Sequence, residues 1–288
     1  MSYAVVLMAY GSPERLEDVP AYYADIRGGR PIRPELLEAL VERYRALGIE
    51  EGSPLNAITE QTRAALEREL DVPVLTGMRH WQPRIAEAVE AALAGGAETI
   101  VGLVLAPHYS RMSIGEYQRQ FEAAVGDRAT MAFIQSWSGQ LIELLADRVR
   151  GYDGHVVFTA HSLPARILDE GDPYKDELLL SAAVVADRAS LEDWSFSFQS
   201  ASETGEPWLG PDILDHLETL RGRRVLVCPF GFVADHLEIR WDIDTVAAAK
   251  ARELGIELER IRMPNADPEF VSVLAGIVRE ALALPSAL

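Results

Sequence analysis

Val5-Val6-Leu7-Met8-Ala9-Tyr10 and Val156-Val157-Phe158-Thr159-Ala160-His161 are two unbroken apolar runs of strand length, each ending on a ring-bearing polar residue. Continuous rather than alternating apolarity is what a strand shows when helices cover both faces of its sheet. A second pair repeats the relation: Val101-Gly102-Leu103-Val104-Leu105-Ala106-Pro107-His108 is mirrored by Val225-Leu226-Val227-Cys228-Pro229-Phe230. Further strand-length runs occur at 72–76, 130–135, 194–199 and 257–261, with helical patterns near 35–47, 59–70, 83–94, 115–125, 139–150, 175–189, 211–221, 236–254 and 268–283. Such alternation implies βαβ units and mostly parallel sheets. The expectation is an α/β chain of two Rossmann-like lobes, residues 1–150 and 151–265, each a parallel sheet flanked by helices, with the terminal helix of 266–288 packing back on the first lobe. Ligands of open α/β sheets bind at the carboxyl ends of the strands. Tyr10, His108, His161 and the segment after Phe230 therefore line comparable edges, and a cleft between the lobes is the expected site.

Composition narrows the chemistry. Hydrophobic residues make up 48% and charged residues 25% of the 288 positions, an ordinary globular balance. No stretch reaches the roughly 18 consecutive apolar residues of a membrane span. The first residues lack a basic n-region and read as a strand rather than a leader. Cys228 is the single cysteine, which excludes a disulfide framework and an all-cysteine metal site. A cytoplasmic location is expected. The formal charge of −18 argues against nucleic acid or anionic lipid as a general partner. Arg27, Arg30, Arg33, Arg43 and Arg45 gather in one short stretch all the same. Guanidinium forks suit carboxylates and phosphates, although a solvated surface explains such a run equally well. No Gly-rich dinucleotide loop, P-loop or G-x-S-x-G is present, and Cys228 has no context for nucleophilic work.

Six histidines occur: His80, His108, His155, His161, His216 and His236. His161 ends a strand and precedes Ser162-Leu163-Pro164, a turn that leaves its imidazole at the sheet edge. A lone histidine there more often bonds a neighbouring carbonyl than a ligand. His155 and His216 read as surface residues. In Gly231-Phe232-Val233-Ala234-Asp235-His236-Leu237-Glu238 the chain leaves a strand and opens a helix. Asp235 is the expected N-cap, and Glu238 could complete a capping-box-like start. Asp242 follows Glu238 by four residues, on the same helical face. A charged outer face explains this spacing, as does a path for cations. One imidazole and one carboxylate suit Fe²⁺ or serve as general bases; nothing local shows that the two meet.

Taken together, the segments resemble the ferrochelatase family, most closely the coproporphyrin III enzymes of monoderm bacteria. The likeness runs through Leu7-Met8-Ala9-Tyr10-Gly11-Ser12-Pro13, Tyr22-Tyr23-x-x-Ile26-Arg27, Arg43-Tyr44, Ser53-Pro54-Leu55 and Leu105-Ala106-Pro107-His108-Tyr109-Ser110. Ala160-His161-Ser162-Leu163-Pro164 and the 231–238 segment are its most specific pieces. Gln199-Ser200, Pro207-Trp208-Leu209-Gly210-Pro211 and Met263-Pro264-Asn265 complete it.

The resemblance implies a chelatase-like fold with a porphyrin between the lobes and His161 with Glu238 as the catalytic and metal-facing pair. It places Tyr10 on the opposite face of the ring. It also implies porphyrin and propionate contacts at Arg27, Arg43, Tyr44, Ser53 and Tyr117, and secondary roles for His80 and Asp242. The ring would be held distorted, with the cost drawn from binding its periphery. Its two N–H protons would leave through His161, Glu238 and Asp242. Where relatives often carry a further acid this chain has Val246, so Asp244 is the candidate outer acid. Ala9-Tyr10-Gly11 replaces the Asn-Leu-Gly-type start of protoporphyrin enzymes, which favours coproporphyrin III. Fe²⁺ is then a substrate, with no permanently bound cofactor. Cys228 alone cannot hold the iron–sulfur cluster of some actinobacterial relatives. A monomer is expected, with transient contact to neighbouring heme-pathway enzymes left open. The alternatives are a protoporphyrin IX ferrochelatase, a cobalt or siroheme-type chelatase, and a non-catalytic tetrapyrrole carrier.

Overall fold

The computed structural model describes residues 2–48, 52–202 and 204–283. Strands β1 (Tyr3–Ala9), β2 (Val74–Met78), β3 (Thr99–Val104) and β4 (Thr130–Ile134) form one parallel sheet in the order β2-β1-β3-β4. Strands β5 (His155–His161), β6 (Trp194–Gln199), β7 (Arg224–Cys228) and β8 (Glu257–Arg260) form a second in the order β6-β5-β7-β8. The two orders are the same permutation, so the sequence echo of β1 with β5 and of β3 with β7 is a repeat of topology. β1 and β3 occupy the two central places of the first sheet, and β5 and β7 those of the second. Central strands are buried on both faces, which is why Val5, Leu7, Val157 and Phe158 have no contact with solvent.

The helices are α1 (Val19–Ile26), α2 (Pro34–Ala46), α3 (Pro54–Leu70), α4 (Ile85–Ala94), α5 (Ile114–Val125), α6 (Ile142–Val149), α7 (Tyr174–Ala189), α8 (Ile213–Leu217), α9 (Ala248–Glu253) and α10 (Pro268–Ala283). A π-helix, Ile239–Ala247, precedes α9 without a break. Helix α1 was not expected from the sequence. It is eight residues long, with proline in its first turn and two adjacent tyrosines, too short for its periodicity to stand out. Helix α3 begins at Pro54, earlier than its apolar pattern suggests, because Ser53 caps it: the hydroxyl accepts from Leu55 N at 3.3 Å.

One continuous core joins the halves. Val5 and Leu7 of β1, Trp137, Leu145 of α6, Phe158 of β5, Val185 of α7 and Leu274 of α10 belong to the same buried cluster. Helix α10 packs on α3, β3 and β4, with Phe270 beside Trp137 at 6.1 Å between ring centres. Polar ties cross the same boundary: Asp172 accepts from Ser110 Oγ at 3.0 Å and from Arg111 N at 2.8 Å, and Glu177 accepts from Tyr109 N at 3.0 Å. Among the described residues, no helix is long and apolar enough to cross a membrane.

Two sequence expectations for the second lobe are corrected. His155 is 5% exposed and so is no surface residue, and it and the half-buried His216 belong to one hydrogen-bond chain. His216 Nε2 lies 2.6 Å from Ser195 Oγ, Ser195 Oγ lies 2.7 Å from His155 Nε2, and His155 Nδ1 lies 2.7 Å from Asp193. Neutral imidazoles satisfy the whole chain: His216 donates to Ser195, Ser195 to His155, and His155 to Asp193. The chain ties β5, β6 and α8 together at the end of the sheet away from His161. Asp235 is not the cap of the following helix either. Its carboxylate accepts from Arg260 Nη2 at 3.1 Å and Asn265 Nδ2 at 2.9 Å, and the helix begins at Ile239 with no side-chain cap.

Candidate active site

His161 is the last residue of β5, and the turn after it fixes its imidazole. Nδ1 bonds the carbonyl of Ser162, and a carbonyl only accepts, so Nδ1 carries the proton. The Nε2 lone pair then faces outward, flanked by Trp208 at 6.4 Å and Phe232 at 6.3 Å between ring centres. Tyr174 donates its hydroxyl to the carbonyl of His161 at 3.0 Å and holds the strand end in place.

Glu238 comes from the other crossover. Gly231 N donates to Thr159 O at 3.2 Å, so the chain leaving β7 runs hard against β5. A Cβ on residue 231 would stand 2.6 Å from Ala160 Cβ and 2.9 Å from its Cα. Gly231 therefore allows the loop that carries Glu238 to approach the histidine strand. Gly231→Ala should cost about 1–3 kcal/mol, read as a fall of several degrees in Tm, together with a lower kcat; an unchanged Tm would refute the close approach.

The loop ends with Glu238 Oε1 at 3.5 Å from His161 Nε2, and the two side chains are 40% and 29% exposed. The sequence left open whether these groups meet; they do. Glu238 Oε2 lies 2.8 Å from Nε2 of His236, whose Nδ1 bonds Ala234 O at 2.9 Å. By the same tautomer argument His236 Nδ1 carries the ring proton and Nε2 turns toward Glu238. Two imidazole nitrogens thus converge on one carboxylate, an arrangement satisfied by shared protons or by a cation. Burial alone would raise the carboxyl pKa, but bonds from His161 and His236 hold it well below its ordinary value. Burial likewise opposes a charged His161, yet the Glu238 carboxylate outweighs it and raises the imidazole pKa. Sequence reasoning passed over His236; its signal was the two-residue spacing to Glu238.

Asp242 sits in the π-helix one turn beyond, on the same side. Its carboxylate accepts from Ser200 Oγ, and burial followed by the charge of Glu238 raises its pKa despite that bond. Asp244 does not continue this path. It faces away, paired with Arg260 at 2.7 Å, so the expected outer acid is corrected. Among the described residues no group of three or more histidine, cysteine and acidic side chains is arranged to cage a metal. His161 with Glu238 is an open, two-residue contact.

The first lobe supplies the facing wall. Tyr10 follows β1, the counterpart of β5, and is 39% exposed. Burial, then the charge of Glu238, push its phenol up to about 12. The charge of Glu238 thus reaches Tyr10 from the other half of the chain. Beneath Tyr10 lies His80, 4.6 Å between ring centres, with Nδ1 2.8 Å from Asp25. Arg84 grips the same carboxylate at 2.8 and 3.1 Å, and its bond is the first cause of the lowered Asp25 pKa. Arg79 lies over Tyr10 at 5.9 Å and over Tyr117 at 5.4 Å, with no partner for its Nε. Tyr117 is 4% and Tyr44 2% exposed, so both are packed within the first lobe. Tyr44 lies 3.2 Å from Ser12 Oγ, and Ser53, also buried, caps α3.

The arginine run divides. Arg45 pairs with Glu42 and Arg30 bonds the carbonyl of Arg27, both at the surface. Arg33 lies 3.8 Å from Glu35. Arg43 reaches the second lobe, 6.0 Å over the ring of Trp241, and its charge partly opposes the rise in the Asp242 pKa. Arg27 keeps a buried Nε without a partner. Cys228 is fully buried, and desolvation raises its thiol pKa far from reactivity. His108 is buried against Phe230, 5.1 Å between ring centres, and burial lowers its pKa to about 3.

Residues 2–282 match the model of the family described as Ferrochelatase. The chain belongs to the ferrochelatase family. A ferrochelatase of Herpetosiphon aurantiacus is 46% identical over 96% of this chain and 97% of its own length. Coproporphyrin III ferrochelatases of Halalkalibacterium halodurans and Listeria innocua are each 37% identical, over 97% and 96% of this chain and 97% of theirs. SirB from Bacillus subtilis with Fe³⁺ shares the fold at a TM-score of 0.62 and 12% identity, covering 98% of this chain and 96% of that one. Ferrochelatases insert iron into a porphyrin in heme biosynthesis.

Proposed function

We propose that the enzyme inserts Fe²⁺ into coproporphyrin III, with His161 and Glu238 on the metal side of the ring and Tyr10 on the other. The observation that carries the reading is the 3.5 Å approach of His161 Nε2 to Glu238, with Tyr10 on the facing lobe. A ring held between these walls exposes its pyrrole nitrogens to a lone pair fixed by the Ser162 carbonyl. Its protons leave through His161, with Asp242, whose raised pKa makes it a ready acceptor, next outward, while Glu238, held ionised by its histidine partners, balances the charge. Deprotonation and metal entry then occur at one place without a resident cofactor. The reading has the enzyme acting in the cytoplasm as a monomer.

Four propionates distinguish coproporphyrin from protoporphyrin, which has two. Arg27, whose Nε has no partner, and Arg43, which reaches the second lobe, are the guanidinium groups proposed to meet the extra charge, and the coproporphyrin enzymes among the relatives support the choice. The 46% identical relative is named only as a ferrochelatase, so protoporphyrin IX is the competing substrate. Anaerobic turnover with each porphyrin and Fe²⁺ decides between them. A carrier would shift the Soret band and never turn over. Arg27→Ala and Arg43→Ala should each raise KM for coproporphyrin about tenfold, the loss of one charge-assisted contact worth about 1.5 kcal/mol, and raise KM for protoporphyrin less. Equal increases on both substrates would count against propionate binding.

A further inference from the structure

We infer that Asn265 is a positioning residue for the metal carboxylate, acting as a clamp on the loop that carries Glu238. The inference rests on the reading that Glu238 faces the metal. Three hydrogen bonds make the clamp. Asn265 N donates to Val233 O at 2.7 Å. Asp235 N donates to Asn265 Oδ1 at 2.8 Å, and Asn265 Nδ2 donates to Asp235 Oδ2 at 2.9 Å.

These bonds hold residues 233 and 235, the two neighbours of Ala234. The Ala234 carbonyl is in turn the acceptor that orients His236 Nδ1, and His236 Nε2 reaches Glu238. Asn265 is thus the first link of a chain ending on the metal carboxylate, although it touches neither metal nor porphyrin. Its backbone supports the assignment. Asn265 has φ of 52°, in the left-handed region where asparagine is among the few side-chain-bearing residues readily found. That conformation lets its N–H and its side-chain amide engage the same loop. Its carbonyl lies 3.3 Å from Thr62 Oγ of α3, so the clamp is seated on the first lobe. The orientation of Glu238 in the second lobe consequently depends on how the two lobes dock.

Asn265→Gly separates positioning from folding, because glycine accepts a positive φ without cost and Arg260 remains to pair Asp235. The expected result is an apparent KM for Fe²⁺ raised about 10- to 100-fold, the range of second-layer ligand supports. KM for porphyrin should change by less than about twofold and Tm should hardly move. Asn265→Gly combined with Glu238→Gln should lose no more than Glu238→Gln alone, since both act through one carboxylate. If Glu238→Gln abolishes turnover while Asn265→Gly leaves the iron KM unchanged, or raises the porphyrin KM equally, the clamp is wrong and the metal reading stands. Undiminished turnover in Glu238→Gln overturns the metal reading itself.

Discussion

His161→Ala is expected to abolish iron insertion, with kcat/KM down by at least about a thousandfold, while porphyrin still binds. The size of the loss follows from the number of tasks on one atom. Nε2 is a lone pair held toward the cleft by the Nδ1 bond to Ser162 and set 3.5 Å from Glu238. Removing it deletes a base for the pyrrole protons, typically worth 10²- to 10⁴-fold, together with the proposed contact to iron. It also leaves Glu238 with His236 as its remaining histidine partner. Porphyrin binding should survive, because the facing wall of Tyr10, Arg79 and His80 lies on the other lobe. The measurement is anaerobic turnover beside a Soret titration of the same preparation. Retained turnover at a tenth of the wild-type rate would overturn the assignment.

Glu238→Gln should reduce insertion by at least about a hundredfold and also move its pH dependence. Wild-type activity should fall as pH drops through the raised His161 pKa, because the proton on Nε2 then competes with the metal. Glu238 is what lifts that pKa against burial. In Glu238→Gln burial prevails, and the acid limb should shift to lower pH. Stability carries the same signature with a defined sign. A raised imidazole pKa stabilises the fold below its ordinary 6.5 and loses the effect as pH rises through the shifted value. A depressed carboxyl pKa stabilises above its ordinary 4.5 and is lost on acidification. The Tm advantage of the wild type over Glu238→Gln, without metal, should therefore peak between pH 4.5 and 6.5. A difference independent of pH would mean that the pair is not coupled.

The remote groups behave differently from these two. Asp244 and Asp235 share Arg260, which partly offsets their charge. Of the acids that follow Glu238, Asp242 lies on the side of His161 and Asp244 on the side of Arg260, a division that their positions in the chain do not reveal.

Local pattern was enough to determine the two-lobed parallel architecture, because strands covered on both faces leave uninterrupted apolar runs such as Val5–Met8 and Val156–Phe158. It also determined the doubling of the plan, since like runs in like order buried themselves in two sheets of one topology. His161 and Glu238 were legible as candidates from the segments around them. Their meeting was not, because contact between residues far apart in the chain depends on the crossing of β5 with the loop after β7, and hence on the missing Cβ of Gly231. Only the tertiary structure separated Arg43, which reaches Trp241, from Arg45, which pairs with Glu42 beside it. It alone brought His155 and His216 onto one serine, gave Asp235 to Asn265 and Arg260, and enlisted His236. The physical reason is common to all of these. Burial periodicity is written into neighbouring residues, whereas the partner of a polar group is whichever complementary group the packed chain brings within about 3 Å.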